Sequence, residues 1–562
     1  MRISTSLLLL LLVPACGLAA LSDYHDALDG QGTESGSTTT GDDDTTTTWP
    51  GPISTVTTSP PTQTEGDAST SSDASTAIDT DDTTADTSVD TSEGTSTGSE
   101  DNAPPYVHWI TATPEKVTKA GPVTIKAVFS EDVVEIDLYA DDEHLATFTP
   151  AELPYAHLIA SSAANGHRDF WIRVRDPEGL EADSLPAGVD VALPESGTSV
   201  WKLIGSDPQW AEARAITPLA SGGVAVGGFL AKNGSPSAII RFYNADKALL
   251  SNVAPVSGES LVTGLAATPK GDLVAVGVVN DGGLRPWLVG LSDGGNYIFA
   301  PVYGNVGETA TGVDVAEDGS IYVSGYVETE GQGKFDAMLW AYNPTGGPRW
   351  SRQWDGPDLL TPGSRRDQAH AVAVLADGSV ATAGETTIQD PNDLKLKYSR
   401  ALVLHYAASD KLLGSWDAGD SPAKHTAARA IAADAEGLLV GGWSSGDPAI
   451  STKPLTLRLA TPSLEPTWVR EELTGNLGFE AVEGLGRLPE GAVVITATIQ
   501  GSGNTDLLVR AIDSLQGVAM WDYTLATAAD ERAHALRLGD YGAIYYAGAT
   551  GTSKIIAGEL AP

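Results

Sequence analysis

Cysteine occurs once in 562 residues, as Cys16. A chain with one cysteine forms no internal disulfide, so packing must hold it together. Basic residues are scarce as well: 33 Lys and Arg stand against 74 Asp and Glu, and none falls between Arg2 and Lys116. Such a surface repels phosphate backbones and anionic headgroups, which excludes nucleic acid as a partner. The opening "MRISTSLLLLLLVPAC" is apolar, but it is too short for a permanent membrane span and ends at small residues. It reads as an export signal.

The end of that run, "LVPAC", resembles the lipobox of bacterial lipoproteins, with Leu12, Val13 and Ala15 matching and Pro14 departing from the usual residue. The resemblance implies a signal peptide over 1–16, lipidation at Cys16, and, through Gly17, sorting to the outer membrane. The alternative is an ordinary signal peptide cut near Ala19 or Ala20. The protein is therefore expected to be exported and held at the outer membrane, on the cell surface or the periplasmic side.

Residues 17–101 are Ser, Thr, Gly and Asp rich, with 18 acids and no bases. Low apolar content and one-signed charge cannot offset the entropy of ordering, so a disordered acidic tether is expected. Ser and Thr density there permits glycosylation. "GDDDTTTT" lacks the ligand order of a calcium loop. Beyond the tether, residues 102–562 hold 56 acids and 32 bases, a formal charge of −24.

Residues 102–194 carry three runs of alternating apolar character. They are "VTIKAVF" (Val123, Ile125, Ala127, Phe129), "VEIDLY" (Val134, Ile136, Leu138) and "FWIRVR" (Phe170, Ile172, Val174). Each predicts a strand with one buried side. "VRDPEGLEADS" resembles bacterial immunoglobulin-like repeats, which implies an Ig-like β-sandwich serving as a spacer. "DNAPP" is similar to a cadherin linker, without that family's other calcium motifs. No cofactor is expected; calcium at Asp176, Glu178 and Asp183 is the alternative to a solvated turn.

Residues 199–562 repeat themselves. The inner strands start at Ala213, Val262, Ala310, Ala369, Ala428, Val482 and Ala533, spaced by 49, 48, 59, 59, 54 and 51 residues. A second strand follows and ends at Gly228, Gly277, Gly325, Gly384, Gly442, Ala497 or Gly548, where a small residue is expected to let neighbouring sheets approach. A fourth strand carries Trp350, Trp416, Trp468 or Trp521 in four repeats. The seventh repeat has only three strands, and "SVWKLIG" before the first places Trp201 where the others stand, which predicts ring closure. A four-stranded sheet has two apolar faces and cannot bury both alone; seven wedged around an axis bury one another. The fold class expected is all-β: a seven-bladed β-propeller preceded by an Ig-like β-sandwich and a disordered acidic linker. "DAMLWAYNPTG" and "PRWS" with the preceding "IYVSG" resemble the SBBP-type propeller repeats of bacterial surface proteins, most strongly over 305–355. That likeness implies architecture rather than chemistry.

Hydrolase signatures fail on context. "GWSSG" (442–446) needs a strand-to-helix turn and sits at the end of a blade strand. "AGDSPA" around Ser421 lacks the following glycines, and "DPND" (390–393) lacks alternating ligands. Asp318-Gly319 and Asp377-Gly378 read as hairpin turns.

One constellation remains. The second residue of each inner strand is Arg214, Thr263, Thr311, His370, Arg429, Glu483 or His534, so symmetry brings seven mainly polar side chains to one mouth of the channel. The entering loops add Arg365, Arg366, Asp367, Asp530, Glu531 and Arg532. Arg214, Arg365, Arg366, His370, Arg429, Arg532 and His534 form a candidate site for an anion or carbohydrate, set against the plainer reading that they satisfy strand ends and bridge blades. A metal shared by His370 and His534 is disfavoured, because they stand three blades apart. The expected protein is a monomeric, lipid-anchored display protein offering a propeller face to a protein or glycan; the alternative is a propeller hydrolase or lyase acting on extracellular polysaccharide.

Overall fold

The computed structural model describes residues 103–205, 210–232, 235–329, 334–356, 366–389, 397–419, 425–445, 452–470, 478–500, 503–551 and 554–562. Cys16, the leader, the tether, Arg365, Ser421, Gly446 and the "DPND" segment lie outside the described residues.

The chain is all-β. Over residues 107–191, one sheet orders Val107–Thr113, Gly121–Phe129 and Tyr155–Ile159; a second orders Lys116–Val117, Ala187–Val191, Gly166–Arg175, Glu135–Ala140 and Glu143–Phe148, with Glu181–Asp183 on Gly166–Arg175. Val123, Ile125, Ile136, Leu138, Phe170, Ile172 and Val174 fill one core between them. The alternation therefore placed these side chains inward, except at Val134, which precedes its strand and is exposed. The acidic turn gathers no common ligand set. Asp176 accepts the Leu180 amide at 2.8 Å, and Asp183 is tied to Arg173 at 2.7 Å.

Among the described residues, the strands from Ser199 onward form seven four-stranded antiparallel sheets. The third is typical: Glu308–Val315 innermost, then Ile321–Thr329, Lys334–Tyr342 and Pro348–Trp354. The other inner strands are Trp210–Pro218, Glu259–Ala267, Asp367–Val374, His425–Asp434, Gly478–Arg487 and Glu531–Leu538. Each inner strand packs against the next, and the last packs against the first. An apolar cluster fills every seam. Val276, Leu288, Val313 and Trp340 join the second and third sheets, and Val224, Tyr243, Tyr545 and Ile555 join the seventh to the first. Each fully buried aliphatic or aromatic side chain contributes about 1.5–3 kcal/mol, which is what ties sheets that share no hydrogen-bonded ladder.

The seventh sheet draws its outer strand from the front of the chain. Ser199–Ile204 pairs antiparallel with Lys554–Leu560, Trp201 opposite Glu559 and Leu203 opposite Ala557. Trp201 packs on Tyr243 of the first sheet, 5.6 Å between ring centroids.

Every inner strand breaks its ladder at one place. Ala213 pairs with Gly228 and Ala215 with Gly227, so Arg214 is left out; the same skip occurs at Thr263, Thr311, His370, Arg429, Glu483 and His534. These are β-bulges, and they explain the repeated glycine. A Cβ on Gly228, Gly277, Gly325, Gly384, Gly442 or Gly548 would lie 1.8–2.0 Å from the carbonyl oxygen of the inner-strand residue two before the bulged one. The close approach is thus inside one sheet, across the bulge, rather than between neighbouring sheets as the repeat pattern suggested. The sixth sheet has Ala497 at this place and a further register break between Phe479 and Ala481. Gly325→Ala is accordingly expected to cost about 2–3 kcal/mol in urea unfolding, because backbone rather than a flexible side chain must move. A change below about 0.5 kcal/mol would contradict this account.

The Asp-Gly turns take their expected form. Gly319 and Gly378 adopt φ of +82° and +79°, and the preceding aspartates accept the amides of Ser320 and Ser379 at 2.8 and 2.9 Å.

Candidate functional site

A bulge turns the extra residue's side chain off the sheet's alternation. Seven bulges at one level therefore aim seven side chains at the axis. Arg214, Thr263, Thr311, His370, Arg429, Glu483 and His534 all line one cavity of ≈ 240 Å³. The candidate residues Arg214, His370, Arg429 and His534 are among them. Arg366 and Arg532 are not. Arg366 precedes its strand and lies 5.5 Å over the Phe335 ring of the third sheet, and Arg532 is exposed.

The ring is electrostatically uneven. At the seam between the seventh and first sheets, Glu212 bridges His534 at 3.2 Å and Arg214 at 2.7 Å. Burial alone would raise the Glu212 pKa; Arg214 and His534 outweigh it and hold the carboxyl well below the usual carboxylate range. On the next two sheets the hydroxyls turn to backbone: Thr311 donates to Ala369 O at 2.7 Å, and Thr263 to Val276 O at 3.5 Å. On the fourth sheet, the His370 Nε2 is 3.6 Å from Glu385 and has no hydrogen-bond partner. Burial, reinforced by Arg429, pushes its pKa below the ordinary histidine value despite Glu385 and Glu483. The imidazole is neutral at neutral pH.

Below this ring Arg537 also lines the cavity. It crosses from the seventh sheet to the third and donates to Val313 O at 3.3 Å. Asp314 beside it accepts the amides of Val315 and Val374 at 3.0 and 2.8 Å; burial pushes its pKa up, against the charge of Arg537.

The two cavity histidines stand in separate settings, His370 near Glu385 and His534 on Glu212. Elsewhere, the carboxylates of Asp336, Asp355 and Asp367 converge within 4.8 Å. Asp336 already accepts Gln353 Nε2 at 2.6 Å, Asp367 accepts the Gly356 amide at 3.0 Å, and all three have further partners. Ser444 of the "GWSSG" stretch is buried in a strand that runs Gly437–Ser445. A serine, histidine and aspartate do meet at Ser379, but in the wrong order for attack. Ser379 donates to Asp377 at 2.6 Å, so the His405 Nε2 at 2.8 Å must donate to the serine and cannot take its proton.

Sequence reasoning found the seven bulged residues by repeat alignment. It missed Glu212 and Arg537, one two positions before and the other three positions after a bulged residue, because neither residue recurs in the other repeats. Their columns are uncharged in five of seven copies, the exceptions beside them being Arg532 in the first and Asp314 in the second.

No protein family matches the sequence, and no curated protein does. Solved structures do. The β-propeller domain of the trilobed protease from Pyrococcus furiosus is 10% identical, covering 62% of this chain and 95% of that one, with a TM-score of 0.38. The Dos1 propeller is 9% identical over 80% of this chain and 94% of its own, with a TM-score of 0.35. A protein of unknown function from Dyadobacter fermentans is 9% identical over 65% and 98%, with a TM-score of 0.41. The first two are β-propellers, and none of the three likenesses says anything about chemistry.

Proposed function

We propose that the seven sheets are the blades of a closed seven-bladed propeller, and that this propeller is the ligand-binding head of an exported, lipid-anchored surface protein. Its partner is a glycan or protein that inserts a polar group into the channel mouth. In this reading Cys16 carries the lipid, residues 17–101 are the tether, and the Ig-like sandwich is a spacer that holds the head away from the outer membrane.

The observation that carries the reading is the convergence of seven bulged side chains on one cavity. Bulges that merely ended strands would not need mainly polar residues at every copy, and burying polar groups without partners is costly. A glycan and protein array probed with the full-length chain tests it. At least one ligand is expected, and its binding should be lost in Thr263→Trp, which fills the cavity without altering a charge, while thermal unfolding stays cooperative. Cys16→Ser in the same host should move the protein from the membrane fraction to the soluble one. Ligands that bind Thr263→Trp as well as the parent would place recognition elsewhere. Product release from a bound polysaccharide would favour the hydrolase or lyase reading instead.

A further inference from the structure

The cavity wall separates into committed and uncommitted parts. Glu212 is bonded to both Arg214 and His534, and Thr263 and Thr311 are turned to carbonyl oxygens. Three consecutive sheets are left, bearing His370, Arg429 and Glu483. Arg429 and Glu483 carry opposite charges and sit on adjacent sheets, and among the described residues neither makes a hydrogen bond or ion pair, with each other or with a third group. The side chain of His370, 3.6 Å from Glu385, is only 8% exposed, and its Nε2 has no hydrogen-bond partner. Arg537 closes the floor through Val313. A cavity of ≈ 240 Å³ falls below the ~300–1,000 Å³ of clefts that hold drug-sized molecules, so one small polar unit fits.

We infer that this unit is the terminal uronate of an acidic glycan, its carboxylate on the Arg429 guanidinium and its ring hydroxyls on Glu483 and His370; the inference rests on the binding-head reading above. A planar guanidinium matches a carboxylate in a two-point fork. Glu483 requires a neighbouring donor, which a sugar hydroxyl supplies and a second anionic oxygen does not. The carboxylates of Glu483 and Glu385 beside the site disfavour a sulfate or phosphate dianion, for which one uncompensated arginine is too little. The charge of −24 on residues 102–562 opposes the approach of a dense polyanion, so the end of a chain is recognised rather than its interior.

Titration calorimetry of the full-length chain tests this with glucuronate, galacturonate, glucose, galactose, alanine and sulfate as probes. Both uronates, or one of them, should bind at least about tenfold tighter than the matching neutral sugar, and Arg429→Gln should remove that preference. Glu483→Gln should weaken the uronate and strengthen sulfate. Arg532→Gln, exposed and outside the cavity, should change neither. Equal affinity for uronate and neutral sugar, unchanged uronate binding in Arg429→Gln, tighter binding of alanine or sulfate, or no uronate binding at all would overturn the inference. If array ligands still depend on an unfilled cavity in Thr263→Trp, the binding-head reading survives that failure. If none does, both fall.

Discussion

A chain truncated to begin at Glu195 should fold cooperatively, and one beginning at Ser206 should not. The two differ by the strand Ser199–Ile204, which completes the seventh sheet against Lys554–Leu560. Without it, the last strand of the ring becomes an edge with free backbone donors and acceptors and a buried apolar face, and such an edge recruits other chains. The strand also covers a seam. Trp201 and Leu203 pack on the cluster of Tyr243, Tyr545 and Ile555 that joins the seventh sheet to the first. Two half-buried side chains at about 1–2 kcal/mol each and a short ladder at about 0.5–1.5 kcal/mol per hydrogen bond give a loss of roughly 4–8 kcal/mol. That is comparable to the whole stability of an ordinary domain, ~5–15 kcal/mol. Urea unfolding and size-exclusion chromatography read the result; equal midpoints and a monomeric shorter chain would show that the ring does not depend on this closure.

The closure was legible in sequence because it left a gap in a repeat: three strands in the last copy, one surplus strand carrying Trp201 before the first. The bulged ring was legible for the same reason, since seven aligned copies put Arg214 through His534 in one column. What repetition could not show was anything done once. Glu212 acts only because Arg214 and His534 happen to flank the seam, and Arg537 only by its single reach across to Val313. The repeated glycine was visible but its cause was not. A residue without a side chain marks a close approach without saying what approaches, and the carbonyl across the bulge is set by register. Arg366 and Arg532 were drawn in by proximity in the chain. Two or fewer residues from a strand's start is near in sequence, yet the direction a side chain takes there depends on whether the ladder has already broken.

Glu212→Ala should be the most damaging single substitution at the channel mouth. The side chain is 14% exposed and holds two groups from opposite sides of the closure seam, Arg214 and His534. Removing one member of a buried ionic set leaves the others without compensation, which costs about 3–5 kcal/mol. Glu212→Gln keeps the shape and a carbonyl for Arg214 but not the charge, so it should fall between the two. The pH dependence follows from the direction of the shift. The folded carboxyl has a lower pKa than the unfolded one, so its contribution is complete above the unfolded value of about 4.3 and is lost as the pH falls through that value toward the folded one. The parent protein should lose stability over this acid range more steeply than Glu212→Gln, and the difference between the two should shrink toward zero as the pH drops. Urea midpoints measured from pH 7 downward check both statements. A constant difference across the range would mean that the carboxylate's charge is not what holds His534 and Arg214 together.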